Sequence, residues 1–192
     1  AEVTNAGGHH HNAAFVSRVD DFLIAHAAAR LDHCDGACVG EHIATTYPRT
    51  HPLVAGAWDF SSWQPDAIVI MVGGTDLANP AVNPPPTQAA FANGYGQFLA
   101  QVRAANPTAK IFATTSPTLN DDYPANYQAR TKSIGALASA VAARNSAGDG
   151  QVFAFAFTQD GDLTACDYHP SFALYQRMAA EIAPFIRSKT GW

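Results

Sequence analysis

The sequence predicts a three-layer α/β/α sandwich around a mostly parallel sheet, as one domain over residues 1–192. Three observations lead there. A continuously apolar, β-branched run at 67–72 has the pattern of a strand covered on both faces, and 110–115 and 151–157 read as a second and a third strand. Longer helical stretches alternate with them, the order that builds right-handed βαβ units. No linker or internal repeat divides the chain, and 192 residues suit one substantial core.

The elements follow in order. Asn12 can cap a helix over 12–31, with Phe15, Val19, Phe22, Leu23 and His26 on one stripe. Residues 32–66 read as irregular, rich in His, Gly, Pro and Thr. The strand at 67–72 runs into Gly73-Gly74-Thr75-Asp76, a Gly-rich polar loop. Pro84, Pro85 and Pro86 stiffen the approach to Thr87, which caps a helix to about 105. Pro124 suits the first turn of a helix over about 124–144, closed by Asn145 and Gly148. Pro170 opens the last helix, to about 188, with a kink expected at Pro184. Three strands make a thin sheet for these helices. A further strand is therefore expected ahead of Ala1, or irregularly within 1–8 or 32–45. Ligand sites in such sheets lie at the carboxyl ends of the strands, where 73–76 and 158–169 fall.

Composition excludes several classes. Lysine and arginine total 11 against 16 acidic residues, a net charge of −5, and no basic run offers a nucleic-acid footprint. No apolar run approaches the roughly 20 residues that span a bilayer, so no membrane partner is expected. Cys34, Cys38 and Cys166 fit neither zinc-site nor redox Cys-x-x-Cys spacing. In an oxidising compartment Cys34 and Cys38 can bridge locally, or either can pair with Cys166. No signal peptide starts at residue 1, so a secreted protein would be seen here in mature or clipped form. His9, His10 and His11 read as a tag remnant or polar loop, and no metal site is expected. Asp160-Gly161-Asp162 lacks the other acidic ligands of a calcium loop and reads as a tight turn.

One residue stands out chemically. His169 lies at a loop-to-helix junction after the last strand, where a general base of near-neutral pKa can be fixed. Asp167 is the nearest acid. The stretches 58–76 (WDFSSWQPDAIVIMVGGTD) and 165–171 (ACDYHPS) resemble the third and fifth conserved blocks of the SGNH (GDSL-type) hydrolases. With Tyr47-Pro48-Arg49-Thr50, they most resemble the acetyl-xylan esterases of carbohydrate esterase family 2.

That resemblance implies an SGNH (flavodoxin-like) fold and cofactor-free ester hydrolysis by a serine nucleophile and a histidine base. His169 would be the base, and Asp167 or a backbone carbonyl would orient it. Thr75, where the family has Asn, and the N–H of Gly40 (with Gly36 next) would hold the oxyanion. Gly74, Asp76 and Trp63 would contact the substrate, an acetylated polysaccharide or oligosaccharide, although Trp58 and Trp63 also read as packing beneath the sheet. Asp76 would also tie loops together. No serine of the chain stands on a Gly-Asp-Ser turn, so the nucleophile is expected just upstream of Ala1, with a β-sandwich domain before it. The alternatives are a non-catalytic glycan-binding module of the same fold and a flavodoxin-like nucleotide binder. The second lacks a phosphate loop.

Overall fold

The computed structural model describes residues 22–26, 43–51, 54–78, 84–165 and 169–192. Along the chain run β1 (Phe22–His26), α1 (Ile43–Thr46), β2 (Arg49–His51), β3 (Val54–Ala57), a 3-10 turn (Phe60–Ser62), β4 (Ala67–Met71) and α2 (Gly74–Ala78). Then come α3 (Gln88–Ala105), β5 (Lys110–Thr115), α4 (Ala129–Ser146), β6 (Val152–Ala156) and α5 (Phe172–Thr190). The main sheet has the order β1-β4-β5-β6 and every pairing in it is parallel. The short antiparallel pair β2-β3 stands apart. The predicted α/β class with a parallel sheet is what forms.

Alternation along each strand sorts the core into two layers. Ile68 and Ile70 of β4, Val72 just after it, and Ile111 and Ala113 of β5 face Phe91, Tyr95, Phe98 and Leu99 of α3 and Leu137 of α4. The opposite face brings Ala67, Val69 and Phe112 against Ile182 and Ile186 of α5, with Phe153, Phe155 and Phe185 alongside. Phe112 lies between Phe153 (ring centroids 5.4 Å apart) and Phe185 (6.0 Å). Helices thus cover both faces, which is why the strands carry no polar alternation.

Caps fix the helix starts. Oγ1 of Thr87 accepts from the Ala90 N–H at 3.1 Å, as the sequence predicts, and Oγ of Ser171 accepts from the Leu174 N–H at 3.0 Å. Along the outer side of β6, Nδ2 of Asn145 donates to the Val152 carbonyl at 3.0 Å. Just past that strand, the Thr158 N–H donates to Glu181 at 2.9 Å.

Four expectations change. The stretch read as a helix over 12–31 contains a strand at 22–26, paired residue for residue with β4 from Phe22–Ala67 to His26–Met71. A short apolar run such as Phe22-Leu23-Ile24-Ala25 suits either structure, and an open edge of β4 decides for the strand. Among the described residues it is the fourth strand of the sheet. Gly74-Thr75-Asp76 are not loop but the first turn of α2, closed by Leu77 N–H to the Gly73 carbonyl at 3.0 Å. The helix expected from Pro124 starts at Ala129, because Asn126 (φ 62°) and Gln128 (φ 61°) take left-handed conformations that no helix tolerates. Within the stretch read as irregular, 49–57 carries the β2-β3 pair, and Trp58 beside it is 42% exposed rather than packed under the sheet.

Gly36, Gly40, Cys34, Cys38, Cys166, Asp167 and His9 to His11 lie outside the described residues.

Candidate active site

Among the described residues, three connections gather at the carboxyl edge of the main sheet: 72–76 after β4, 116–128 after β5 and the described part of 157–171 after β6. Because β5 separates β4 from β6, the ends of those two strands stand about two strand spacings, or 10 Å, apart.

His169 is exposed on the last of these connections. Its carbonyl accepts from the Ala165 N–H at 3.1 Å, which closes the chain around it. Asp162 then ties the far side. Its Oδ2 accepts from Oγ of Ser171 at 2.6 Å and from Nη2 of Arg177 at 3.1 Å, while Oδ1 accepts from Oγ1 of Thr164 at 2.7 Å. The Asp162 carbonyl also accepts from the Ser171 N–H at 3.2 Å. Arg177 reaches Asp160 as well, Nε at 2.8 Å and Nη2 at 2.7 Å. Ser171, with help from Thr164 and Arg177, holds the Asp162 carboxyl down at about 2. A single exposed ion pair contributes little, but two aspartates sharing one guanidinium form a network that fixes a loop.

The β4 connection is shaped by glycine. Gly73 has φ 103°, and a Cβ there would overlap Cζ of Phe91, so no other residue fits. Gly74 has nothing within 4 Å of the corresponding position and faces open space. Thr75 beside it is half-buried. Asp76 is only 4% exposed, which suits the loop-tying role better than contact with a substrate.

Asp76 is felt at Tyr127, in the β5 connection. Burial, and then the Asp76 charge, pushes the Tyr127 phenol up to about 12. The hydroxyl of Tyr127 donates to the Pro86 carbonyl. The β5 connection is also tied to the β6 one. The Asp160 N–H donates to the Pro117 carbonyl at 2.9 Å, and Nη2 of Arg130 donates to the Phe157 carbonyl at 2.7 Å.

Of the residues expected at the site, His169, Gly74, Thr75 and Asp76 come to this edge. Trp63 does not: it precedes the amino end of β4 and is half-buried against the main core. A shallow groove of about 500 Å³, lined by Phe60, Gln64, Ala105 and Thr108 among others, also lies at that amino edge, away from His169. Sequence reasoning missed Asp160, Asp162, Ser171 and Arg177 as the brace of the histidine loop. The available signal was Ser171, an N-cap residue two places after His169. Among the described residues, no group of three His, Cys, Asp or Glu side chains is placed to hold a metal.

Fold and edge together define a three-layer α/β protein whose ligand-facing loops lie at the carboxyl ends of a parallel sheet. The chain belongs to the GDSL-like lipase/acylhydrolase family, whose model matches residues 4–177. It is 29% identical over 175 residues to the cellulase/esterase CelE of Acetivibrio thermocellus, covering 88% of this chain and 20% of that protein. Its fold matches that of a family two carbohydrate esterase from Clostridium thermocellum in complex with cellohexaose. The TM-score is 0.71 at 29% identity, over 86% of this chain and 48% of that one. A family 2 carbohydrate esterase with a carbohydrate binding domain from Corynascus thermopiles (Myceliophthora fergusii) is similar too. There the TM-score is 0.73 at 27% identity, over 86% of this chain and 51% of the other. The chain thus spans about half the length of these solved relatives.

Proposed function

We propose that this chain is the SGNH-type catalytic domain of a secreted carbohydrate esterase that removes acetyl groups from xylan-type plant polysaccharide. The observation that carries the reading is His169, exposed on a braced loop at the carboxyl edge of an acylhydrolase fold. The cellohexaose complex of the Clostridium thermocellum relative supports a polysaccharide as the partner.

In this reading a serine attacks the acetyl carbonyl while His169 takes its proton. No serine of these 192 residues stands on a Gly-Asp-Ser turn, so the reading requires one from outside this sequence. The carbonyl oxygen gains the negative charge, and the Thr75 hydroxyl and Gly40 N–H donate to it. The tetrahedral intermediate collapses by breaking the bond to the sugar oxygen, which leaves with the proton from His169. Water, deprotonated by His169, then attacks the acetyl-serine; the bond to the serine oxygen breaks, that oxygen takes the proton back from His169, and acetate is released. Asp167 or a backbone carbonyl orients the imidazole.

Hydrolysis of p-nitrophenyl acetate and acetylated xylan by the intact protein tests this. His169→Ala should lower kcat/KM by at least about a thousandfold. Unchanged activity in that variant, or none in the wild type, refutes it. A non-catalytic glycan-binding module is the second reading, favoured by Thr75 in place of the family's Asn. Glycan binding without hydrolysis would identify it.

A further inference from the structure

One peptide group is held at both ends by ionised side chains from opposite faces of the sheet. It joins Phe157 to Thr158, just past β6, where the connection that carries His169 begins. Nη2 of Arg130, in the first turn of α4, donates to the Phe157 carbonyl at 2.7 Å. Oε1 of Glu181, on α5, accepts from the Thr158 N–H at 2.9 Å and from Oγ1 of the same threonine at 2.9 Å. The cation thus sits at the negative end of the peptide dipole and the anion at its positive end. Each bond is charge-assisted, and each polarises the peptide in the sense that strengthens the other. At the end of β4, by contrast, the neutral hydroxyls of Thr114 and Tyr95 meet the Ile70 carbonyl, at 3.0 Å and 3.3 Å.

Stability alone does not account for Arg130. Among the described residues its Nη1 is buried with no hydrogen-bond partner, and a buried charged donor left unsatisfied costs free energy. What the guanidinium gives in return is a fixed place for the Phe157 carbonyl. That place matters because α2, with Thr75 in its first turn, packs against α4. The Asp162–Arg177 brace ties the far end of the histidine connection to α5. Arg130 ties its near end to the other face of the sheet, helped by the Asp160 N–H on the Pro117 carbonyl at 2.9 Å. The clamped peptide is therefore the bridge between the layer that holds Thr75 and the layer to which the His169 loop is braced.

We propose that Arg130 and Glu181 are paired positioning residues, which clamp the Phe157–Thr158 peptide from opposite faces and so set the spacing of His169 from the Thr75 turn. The proposal rests on the esterase reading for the roles of His169 and Thr75, and it names residues that this reading does not use. Each acts through the backbone rather than on the substrate.

Two measurements on the intact protein test it: kinetics on p-nitrophenyl acetate, and NMR of the His169 imidazole, its signals assigned by their loss in His169→Gln. Arg130→Met and Glu181→Ala, assayed where they are folded, should each lower kcat roughly three- to thirtyfold and leave KM within about twofold. Glu181→Gln keeps an acceptor and should retain most of the rate. Either loss alone releases the peptide, so the double variant should lose much less than the product of the two single losses. The His169 signals should shift in both single variants. Wild-type kcat in a folded Glu181→Ala overturns the clamp, and this variant alone decides should Arg130→Met not fold. A fully multiplicative loss in the double variant overturns it too. The two readings fail separately. A wild type inactive on acetyl esters removes the esterase, and the clamp then stands or falls on whether the His169 signals move in Glu181→Ala. An active wild type whose kcat survives both substitutions removes only the clamp.

Discussion

Oγ of Ser171 accepts the Leu174 N–H at 3.0 Å and donates to Asp162 at 2.6 Å, so one hydroxyl both starts α5 and ties the histidine loop to it. The placement of His169 relative to the sheet is therefore coupled to a helix that is itself packed on the sheet, through Ile182 and Ile186. A loop held this way keeps its histidine in one place without burying it.

Asp162→Ala should act on the reaction more than on the fold. Removing the carboxylate releases Ser171, Thr164 and one arm of Arg177 together. A displacement of the histidine by about 1 Å can cost on the order of tenfold to a hundredfold in rate. We expect kcat/KM on an acetyl ester to fall by that amount at a temperature where the variant is still fully folded. A variant as active as the wild type would show that the brace does not position His169.

Acid should dissolve the same brace in a defined window. The Asp162 carboxyl sits at about 2 in the fold, below the roughly 3.9 of an unfolded aspartate. A depressed carboxyl stabilises the folded state fully above the unfolded value and loses that effect as pH falls toward the folded one. The Tm difference between wild type and Asp162→Asn should be constant near neutral pH and close between about pH 4 and 2. A difference that persists unchanged to pH 2 would contradict this.

Alkali should act through buried phenols. Burial pushes Tyr47 up to about 12 against the opposing Asn106 hydrogen bond, Tyr127 reaches about 12, and Tyr95 is raised further by complete burial. Each favours its neutral form in the fold, so the stabilisation is intact below about pH 10, the unfolded value, and is lost as pH rises through the folded ones. Absorbance at 295 nm should report these phenolates appearing together with the loss of circular dichroism. Ionisation of all six tyrosines while the fold persists would count against it.

Adjacent glycines should behave oppositely. Gly73→Ala meets both a left-handed backbone and the Phe91 ring, for an expected loss of about 2–4 kcal/mol in urea unfolding. Gly74→Ala adds a methyl to open space at the start of α2 and should stay within about 0.5 kcal/mol of wild type. Similar losses at both positions would refute the close approach at Gly73.

Much of this architecture was legible in the sequence because it rests on local signals. Strands β4, β5 and β6 announce themselves as apolar runs, and Thr87 marks the start of α3 by its capping chemistry. The misreadings have two causes, long-range pairing and local backbone conformation. At 22–26 a helical stripe and a strand run coincide, and pairing with β4 decides between them. At 126–128 two left-handed residues, not Pro124, set the start of α4; Asn126 is a residue that tolerates such a backbone, but Gln128 gives no sign of it. The histidine loop was legible as part of the carboxyl edge of the sheet, as was 73–76. Its brace was not, because Asp160 and Asp162 meet Arg177 across 15 or more residues, and the aspartates look like turn formers until the helix returns.

The outer border of β6 has a consequence for how molecules of this protein meet one another. A terminal strand exposes a row of backbone groups onto which a strand of another molecule can zip, the usual start of sheet-to-sheet aggregation. Here the Val152 carbonyl is already taken by the amide of Asn145, and the N–H of Thr158 by Glu181. Among the described residues, both ends of the row are thus occupied by side chains from helices on opposite faces, which shortens the template left for an intruding strand.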